Sequence, residues 1–167
     1  MPGLAILAYV VSAAIVGIGL FDLVIAWGLW AMAYAIALIS CWAFLNENRG
    51  YESFEELTGI PVSGLNPHAR KLVPRYWAFY TQPFLAIQLA AGTVAIAFAA
   101  VALAIIGAFK QFWWGLGVAA LVWIVSAVIS SRVNPTFSFR DPDLKDTHEA
   151  VKKLIAEALL RHLNQMR

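Results

Sequence analysis

One continuous apolar run at the start of the chain constrains the fold more than any other feature. Between residues 3 and 45 the only charged residue is Asp22. As a single helix this run would be about 60 Å long, roughly twice the thickness of the hydrocarbon core of a bilayer. It must therefore fold back, and Asp22 lies where a turn can reach water. The run predicts two membrane spans, over residues 4–21 and 24–45.

The composition excludes a soluble globular domain. Hydrophobic residues make up 61% of the chain and charged residues 13%, and the mean hydropathy is +0.71. Soluble domains carry about 25% charged residues and about 45–50% apolar ones. A packed soluble domain would have to expose the apolar excess to water, whereas lipid is a suitable solvent for it.

The second half of the chain repeats the pattern with two further apolar segments, over residues 83–107 and 112–131. A polar loop, residues 46–81, separates the two halves, and a charged tail begins at residue 132. The sequence therefore predicts an all-α membrane protein with four transmembrane helices in two hairpins. A cytoplasmic amphipathic helix over about 142–166 is expected to follow them.

Prolines and aromatic residues give local expectations within this outline. Pro67 can open a short helix in the loop, and Pro74 is expected to end it, since proline disrupts a helix interior. The aromatic residues Tyr76, Trp77, Phe79 and Tyr80 are then expected to mark the return to the membrane interface. Trp27 and Trp30, close to the first turn, are expected to belong to an interfacial aromatic belt.

The distribution of basic residues predicts the orientation. Lys110 is the only one of the 12 Lys and Arg residues that lies outside the central loop and the tail. Positively charged loops stay on the cytoplasmic side of a membrane. The loop, the tail and both termini are therefore expected to be cytoplasmic, and a bacterial inner membrane is the expected location.

Small residues recur four positions apart within the spans, which is the pattern of closely packed membrane helices. The third span is rich enough in alanine to be the central helix or a contact between subunits. The groups are Ala13 with Gly17, Ala91-Ala95-Ala99, Ala100-Ala104-Ala108, Gly115 with Ala119, and Ser126 with Ser130.

The chemistry that the sequence lacks narrows the function further. The three histidines, His68, His148 and His162, all lie outside the spans, which argues against a haem held by two histidines. No phosphate-binding glycine loop, zinc-protease motif or serine-hydrolase motif is present. We therefore expect no catalytic set, no cofactor and no metal site.

Four polar residues of the spans are the candidates for ion, ligand or inter-helix contacts. Asp22 is either an ion site at a membrane face or a turn residue, and the amide of Gln88 has no local backbone role. Hydroxyls in membrane helices usually bond to their own backbone or to a neighbouring helix. The set is Asp22, Gln88, Thr93 and Ser126.

A basic cluster precedes the third span, and it is expected to contact anionic lipid headgroups. The same cluster, with the nearby acids Glu55 and Glu56, offers the groups that a membrane enzyme would need on the cytoplasmic face. The cluster consists of His68, Arg70, Lys71 and Arg75.

The terminal helix has an apolar stripe that must be covered by a membrane surface or by protein. It has no aromatic residue and it carries mixed charges, which favours a protein partner outside this chain. The predicted docking stripe comprises Leu144, His148, Val151, Ile155, Ala158, Leu159, His162 and Met166.

Three function hypotheses follow. The favoured one is a non-catalytic subunit of a larger membrane complex, whose partners are membrane lipids and other subunits or copies of itself. The second is a small transporter or channel that forms its pathway by oligomerising. The third is an enzyme acting on a lipid-linked substrate. The net charge of +2 gives no support for nucleic-acid binding.

Overall fold

The computed structural model describes residues 3–47, 55, 59, 61–134 and 145–165. Within these residues the chain is all-helical. The α-helices are α1 (Gly3–Phe21), α2 (Leu23–Glu47), α3 (Pro67–Thr81), α4 (Pro83–Phe109), α5 (Trp114–Val133) and α6 (Lys145–Gln165), with a 3-10 turn at Val62–Gly64. The predicted fold class is confirmed.

Four of these helices are long and apolar enough to cross a membrane: α1, α2 over Leu23–Leu45, α4 and α5. Each end of these four helices lies within 2 residues of the corresponding end of a predicted span. The chain is therefore an integral membrane protein of the multi-pass type. The described residues divide into two compact units: residues 1–43 with 87–130, and residues 44–86 with 131–167.

The first unit is built around α4. In the most apolar 18-residue stretch of α4, half of the residues are buried. The corresponding share is 17% in α1, 22% in α2 and 28% in α5. Its alanines form much of the buried core, including Ala95, Ala97, Ala99, Ala100 and Ala104. Small side chains allow α1, α2 and α5 to approach α4 closely, which is how helices pack in lipid. The alanine-rich third span is therefore the central helix of this unit.

The contacts of two glycines show how close this packing is. A Cβ atom on Gly19 of α1 would collide with the side chain of Leu103 in α4. A Cβ atom on Gly115 of α5 would lie 3.2 Å from Trp27 Cζ2 and 3.4 Å from Ala104 Cα. Each glycine therefore sets the separation between its own helix and α4.

Both turns of the first unit are closed by defined hydrogen bonds. Asp22 Oδ1 accepts from the backbone N–H groups of Val24 (2.9 Å) and Ile25 (3.1 Å), which caps α2. At the end of α4, Gln111 has φ +66°, and the N–H of Phe112 donates to Gly107 O. This left-handed residue reverses the chain at the C-terminus of α4.

Trp30 is buried within the first unit. It is 5% exposed, and its indole N–H donates to the carbonyl oxygen of Ile96 at 2.9 Å. Its ring stacks on Tyr34, with centroids 5.2 Å apart. The indole of Trp30 therefore faces the interior of the first unit and not lipid, whereas Trp27, the other residue of the predicted belt, is half-buried.

The second unit contains α3, which differs from the prediction. The helix continues through Pro74 to Thr81 instead of ending at Pro74. A proline in a helix interior costs about 3 kcal/mol. Burial of the neighbouring side chains of Val73, Tyr76 and Trp77 offsets that cost, since each large apolar group contributes about 1.5–3 kcal/mol.

The partner of α3 is α6. Ala69, Val73, Tyr76 and Trp77 of α3 form one buried cluster with residues of α6, namely Val151, Ile155 and Ala158. Leu154 and Leu159 pack at its edge. Tyr76 and Trp77 therefore lie in a helix–helix core, where the sequence predicted an aromatic return to the membrane interface.

Candidate functional site

Gln88 ties the start of α1 to α4. Its side-chain oxygen accepts a hydrogen bond from the backbone N–H of Ala5 at 2.8 Å. The first N–H groups of a helix have no partner within the helix, and in lipid no water supplies one. Gln88 therefore acts as a side-chain cap donated by a neighbouring helix.

Removing this cap should destabilise the start of α1. We expect Gln88→Met, which keeps the length of the side chain, to lower the free energy of unfolding by about 1 kcal/mol, because the amide of Ala5 loses its acceptor. Hydrogen exchange should become faster at residues 5–7 and remain unchanged in α5. Gln88→Glu, which retains an acceptor oxygen, is the matched control; unchanged exchange in Gln88→Met would contradict this role.

Thr93 makes one local bond and one bond between helices. Its hydroxyl donates to Leu89 O at 2.8 Å and lies 3.4 Å from Cys41 Sγ of α2. Both side chains are buried. The first bond is the back-bonding common for threonine in helices, and the second links α2 to α4.

Ser126 lies opposite Tyr34. The hydroxyl of Ser126 is 3.0 Å from the hydroxyl of Tyr34, which also lies 3.4 Å from Val122 O. Sequence reasoning missed Tyr34. The available signal was a tyrosine in the middle of an apolar span, because a buried phenol hydroxyl requires a hydrogen-bond partner.

Two of these candidates, Gln88 and Thr93, line one cavity of the first unit, whereas Ser126 does not. Gln88 bonds at the start of α1, Thr93 bonds toward α2, and Ser126 bonds to Tyr34. Each of them is part of a separate link between two helices. Among the described residues, the buried hydroxyls without a hydrogen-bond partner are those of Ser12 and Ser130.

A crevice of about 230 Å³ lies between α1 and α2, with α4 as its floor. Its walls are apolar, and Ser40 and Gln88 are among its few polar residues. The hydroxyl of Ser40 already donates to Ile36 O at 2.8 Å. The crevice therefore presents mainly apolar surface and few polar groups that could bind a ligand.

A second cavity, of about 330 Å³, lies at the end of the first unit where both turns meet; we call it the turn pocket. Asp22 from the α1–α2 turn and Lys110 from the α4–α5 turn both line it. Lys110 Nζ donates to Leu20 O at the C-terminus of α1 (3.0 Å), a favourable position for a cation. The two charges of these turns are thus brought to one site.

The basic cluster lies on α3. Asn66 Oδ1 caps this helix by accepting from the N–H of His68 at 3.0 Å. His68, Arg70 and Lys71 are exposed and Arg75 is half-buried. The guanidinium of Arg70 donates to Ser63 O at 2.8 Å, which fixes the preceding turn. Of the two nearby acids, Glu55 is half-buried and Glu56 lies outside the described residues.

The predicted docking stripe of α6 is partly accounted for within the chain. Val151, Ile155 and Ala158 are buried against α3, and Leu159 is half-buried there. The expectation of a partner outside the chain is therefore wrong for these residues, because the apolar face of α3 covers them. The side chains of His148 and His162, and residues Leu144 and Met166, lie outside the described part of the structure.

The described residues contain no group of three or more His, Cys, Asp or Glu side chains that could hold a metal ion. Comparison with protein-family models, with curated proteins and with solved structures finds no match for this chain.

Proposed function

We propose that this chain is a non-catalytic subunit of a larger membrane complex, and that it associates with another membrane-spanning chain through α1. The location proposed for it is a bacterial inner membrane, with the loop and the tail on the cytoplasmic side. This orientation rests on the uneven distribution of Lys and Arg.

The observation that carries the proposal is the open small-residue face of α1. Ala13 is exposed, and a Cβ atom added to Gly17 would meet nothing within 4 Å. Ile6, Val10 and Leu20 continue the same face and are also exposed. Most residues of the other small-residue groups, such as Gly115 with Ala119, are already buried inside the bundle.

In a lipid bilayer, an exposed face of small residues is a better sign of a helix contact than an exposed apolar face. Apolar exposure alone does not drive helices together in a bilayer, because lipid tails are as apolar as leucine. Small residues promote helix association because they let two backbones approach closely, which increases van der Waals contact. Within the described spans, α1 is also the least buried, so it has the most surface available to a partner.

The polar candidates support a structural role as well. Gln88, Thr93 and Ser126 are each engaged in contacts between helices, as described above. A transport path would need such groups to face a common cavity, and an enzyme would need convergent acid and base groups. Gln88 and Thr93 line one crevice, but its walls are mostly apolar and both side-chain oxygens are already hydrogen-bonded. Transport and catalysis therefore have less support.

In-membrane photo-crosslinking tests the proposed interface directly. A photoreactive residue at position 13 should yield a discrete protein adduct, because that position would lie in the contact. The same residue at Leu121 of α5, which is equally exposed to lipid, is the control. Adducts with lipid alone at both positions would refute the proposed interface.

A glycine substitution makes the same test quantitative. We expect Gly17→Val to lower the yield of the position-13 adduct by about tenfold, because the two added methyl groups hold the helices apart. The monomer should fold normally, since the space around Gly17 is open. Gly28→Val is the matched control, because Gly28 is an equally open glycine on α2. Equal yields in the two variants would contradict the role of Gly17.

A further inference from the structure

The turn pocket brings together two opposite charges that are 88 positions apart in sequence. Asp22 and Lys110 line the same cavity of about 330 Å³. They do not neutralise each other directly. The Asp22 carboxylate accepts from two backbone N–H groups through Oδ1, and the Lys110 ammonium donates to Leu20 O.

Each of these charged groups keeps hydrogen-bonding capacity. A carboxylate has two oxygens with about four acceptor positions, and the two cap bonds use only Oδ1 of Asp22. An ammonium has three donors, of which the bond to Leu20 O uses one. The pocket therefore presents an acceptor for a cation and a donor for an anion.

The pocket is lined by two tryptophans and by two highly exposed apolar residues. Trp27 and Trp114 line it with ring centroids 5.3 Å apart, and tryptophan faces attract organic cations. Phe21 and Val24 line it too, and they are 90% and 80% exposed. Because both residues belong to or border membrane spans, the open side of the pocket faces the bilayer.

We propose that the turn pocket binds the headgroup of a zwitterionic phospholipid that carries a primary ammonium group, such as phosphatidylethanolamine. The ammonium lies against Asp22 and the indole of Trp27, and the phosphate accepts from Lys110. The acyl chains run along Phe21 and Val24. The charge pattern selects against an anionic glycerol headgroup, which satisfies Lys110 but leaves Asp22 without a cation. This site is independent of the proposed contact on α1.

Native mass spectrometry with competing lipids tests the proposal. The full-length protein is released from detergent micelles that contain equal amounts of phosphatidylethanolamine and phosphatidylglycerol, and the bound lipid is counted. We expect the wild type to retain phosphatidylethanolamine preferentially. Asp22→Asn should lower the ratio of bound phosphatidylethanolamine to phosphatidylglycerol by about tenfold, since a hydrogen bond between charged groups is lost.

The Asp22→Asn variant separates binding from folding. Asparagine caps a helix as well as aspartate does, so α2 remains capped while the charge is removed. Its melting temperature in lipid-free detergent should therefore match that of the wild type. Lys110→Met should reduce retention of both lipids, because the donor to the phosphate is gone. Glu157→Gln and Lys153→Gln remove exposed charges on α6 and serve as controls.

Two results would overturn the proposal. One is a wild type that retains both lipids equally; the other is an Asp22→Asn variant with the wild-type lipid ratio. Phosphoethanolamine in solution, without acyl chains, should compete poorly with the lipid. If it displaced the bound lipid at equal concentration, the assignment to a membrane lipid would be wrong.

Discussion

Replacing Ile155 with aspartate is expected to release α6 from α3. Ile155 is fully buried at the centre of the cluster that joins the two helices. An unpaired carboxylate in an apolar contact costs several kcal/mol, and the burial of isoleucine, about 1.5–3 kcal/mol, is lost as well. The combined free-energy cost should be large enough to separate α6 from α3.

Released from α3, α6 should lose much of its helical structure, because packing of an amphipathic face supplies most of the stability of such a helix. Hydrogen exchange across residues 149–161 should become fast, and helix content measured by circular dichroism should fall. Leu160→Asp, on the 61%-exposed Leu160 of the same helix, is the matched control and should change neither. Protection that persists in Ile155→Asp would show that α6 does not depend on α3.

Replacing Gly115 with valine is expected to have the second large effect, within the membrane. Any side chain at this position meets Trp27 Cζ2 and the backbone of Ala104 at 3.2–3.4 Å. The backbone of α4 cannot yield as a flexible side chain could, so α5 must move away from α4. Overpacking of this kind costs about 1–3 kcal/mol.

The neighbouring Gly117 supplies a close control, because a Cβ atom there meets nothing within 4 Å. Gly117→Val makes the same chemical change two residues further along α5. In detergent, the unfolding temperature of Gly115→Val should fall well below that of Gly117→Val, with the tryptophan fluorescence of the bundle as the probe. Equal unfolding temperatures would mean that α5 is not held against α4 at Gly115.

The spans were predictable because they depend on local composition alone. A run of apolar residues too long for one crossing, interrupted at Asp22, has few solutions in a bilayer. The central position of α4 also follows from composition, because its alanines permit close approach from several sides. Length and residue size determine both features, and neither needs a specific tertiary partner.

The side-chain partners were not predictable in the same way. Gln88 and Ser126 carried no sign of the particular groups they bond, Ala5 N–H and the Tyr34 hydroxyl, which are 83 and 92 positions away. Trp30 was assigned to the interface from its sequence position near a turn. Its burial depends on the space left by α4, which only the packed structure determines.

The contact between α3 and α6 was partly readable from sequence. The apolar stripe of α6 is evident in the sequence, but its mixed charges and lack of aromatic residues favour an outside partner. The predicted end of α3 at Pro74 also leaves Tyr76 and Trp77 outside the helix that covers the stripe. Ala69, Val73, Tyr76 and Trp77 follow helical spacing across that proline, and they form the face that covers the stripe. A periodic pattern on both sides of a proline was the stronger signal.

The mass of the protein extracted from its own membrane is the most direct test of the subunit assignment. With a mild detergent and the native expression level, we expect a stable particle in which the 18.3 kDa chain is joined in fixed ratio to at least one further membrane-spanning chain. The Gly17→Val variant should lose that companion. A wild-type particle containing a single 18.3 kDa chain, with lipid and detergent only, would contradict the assignment.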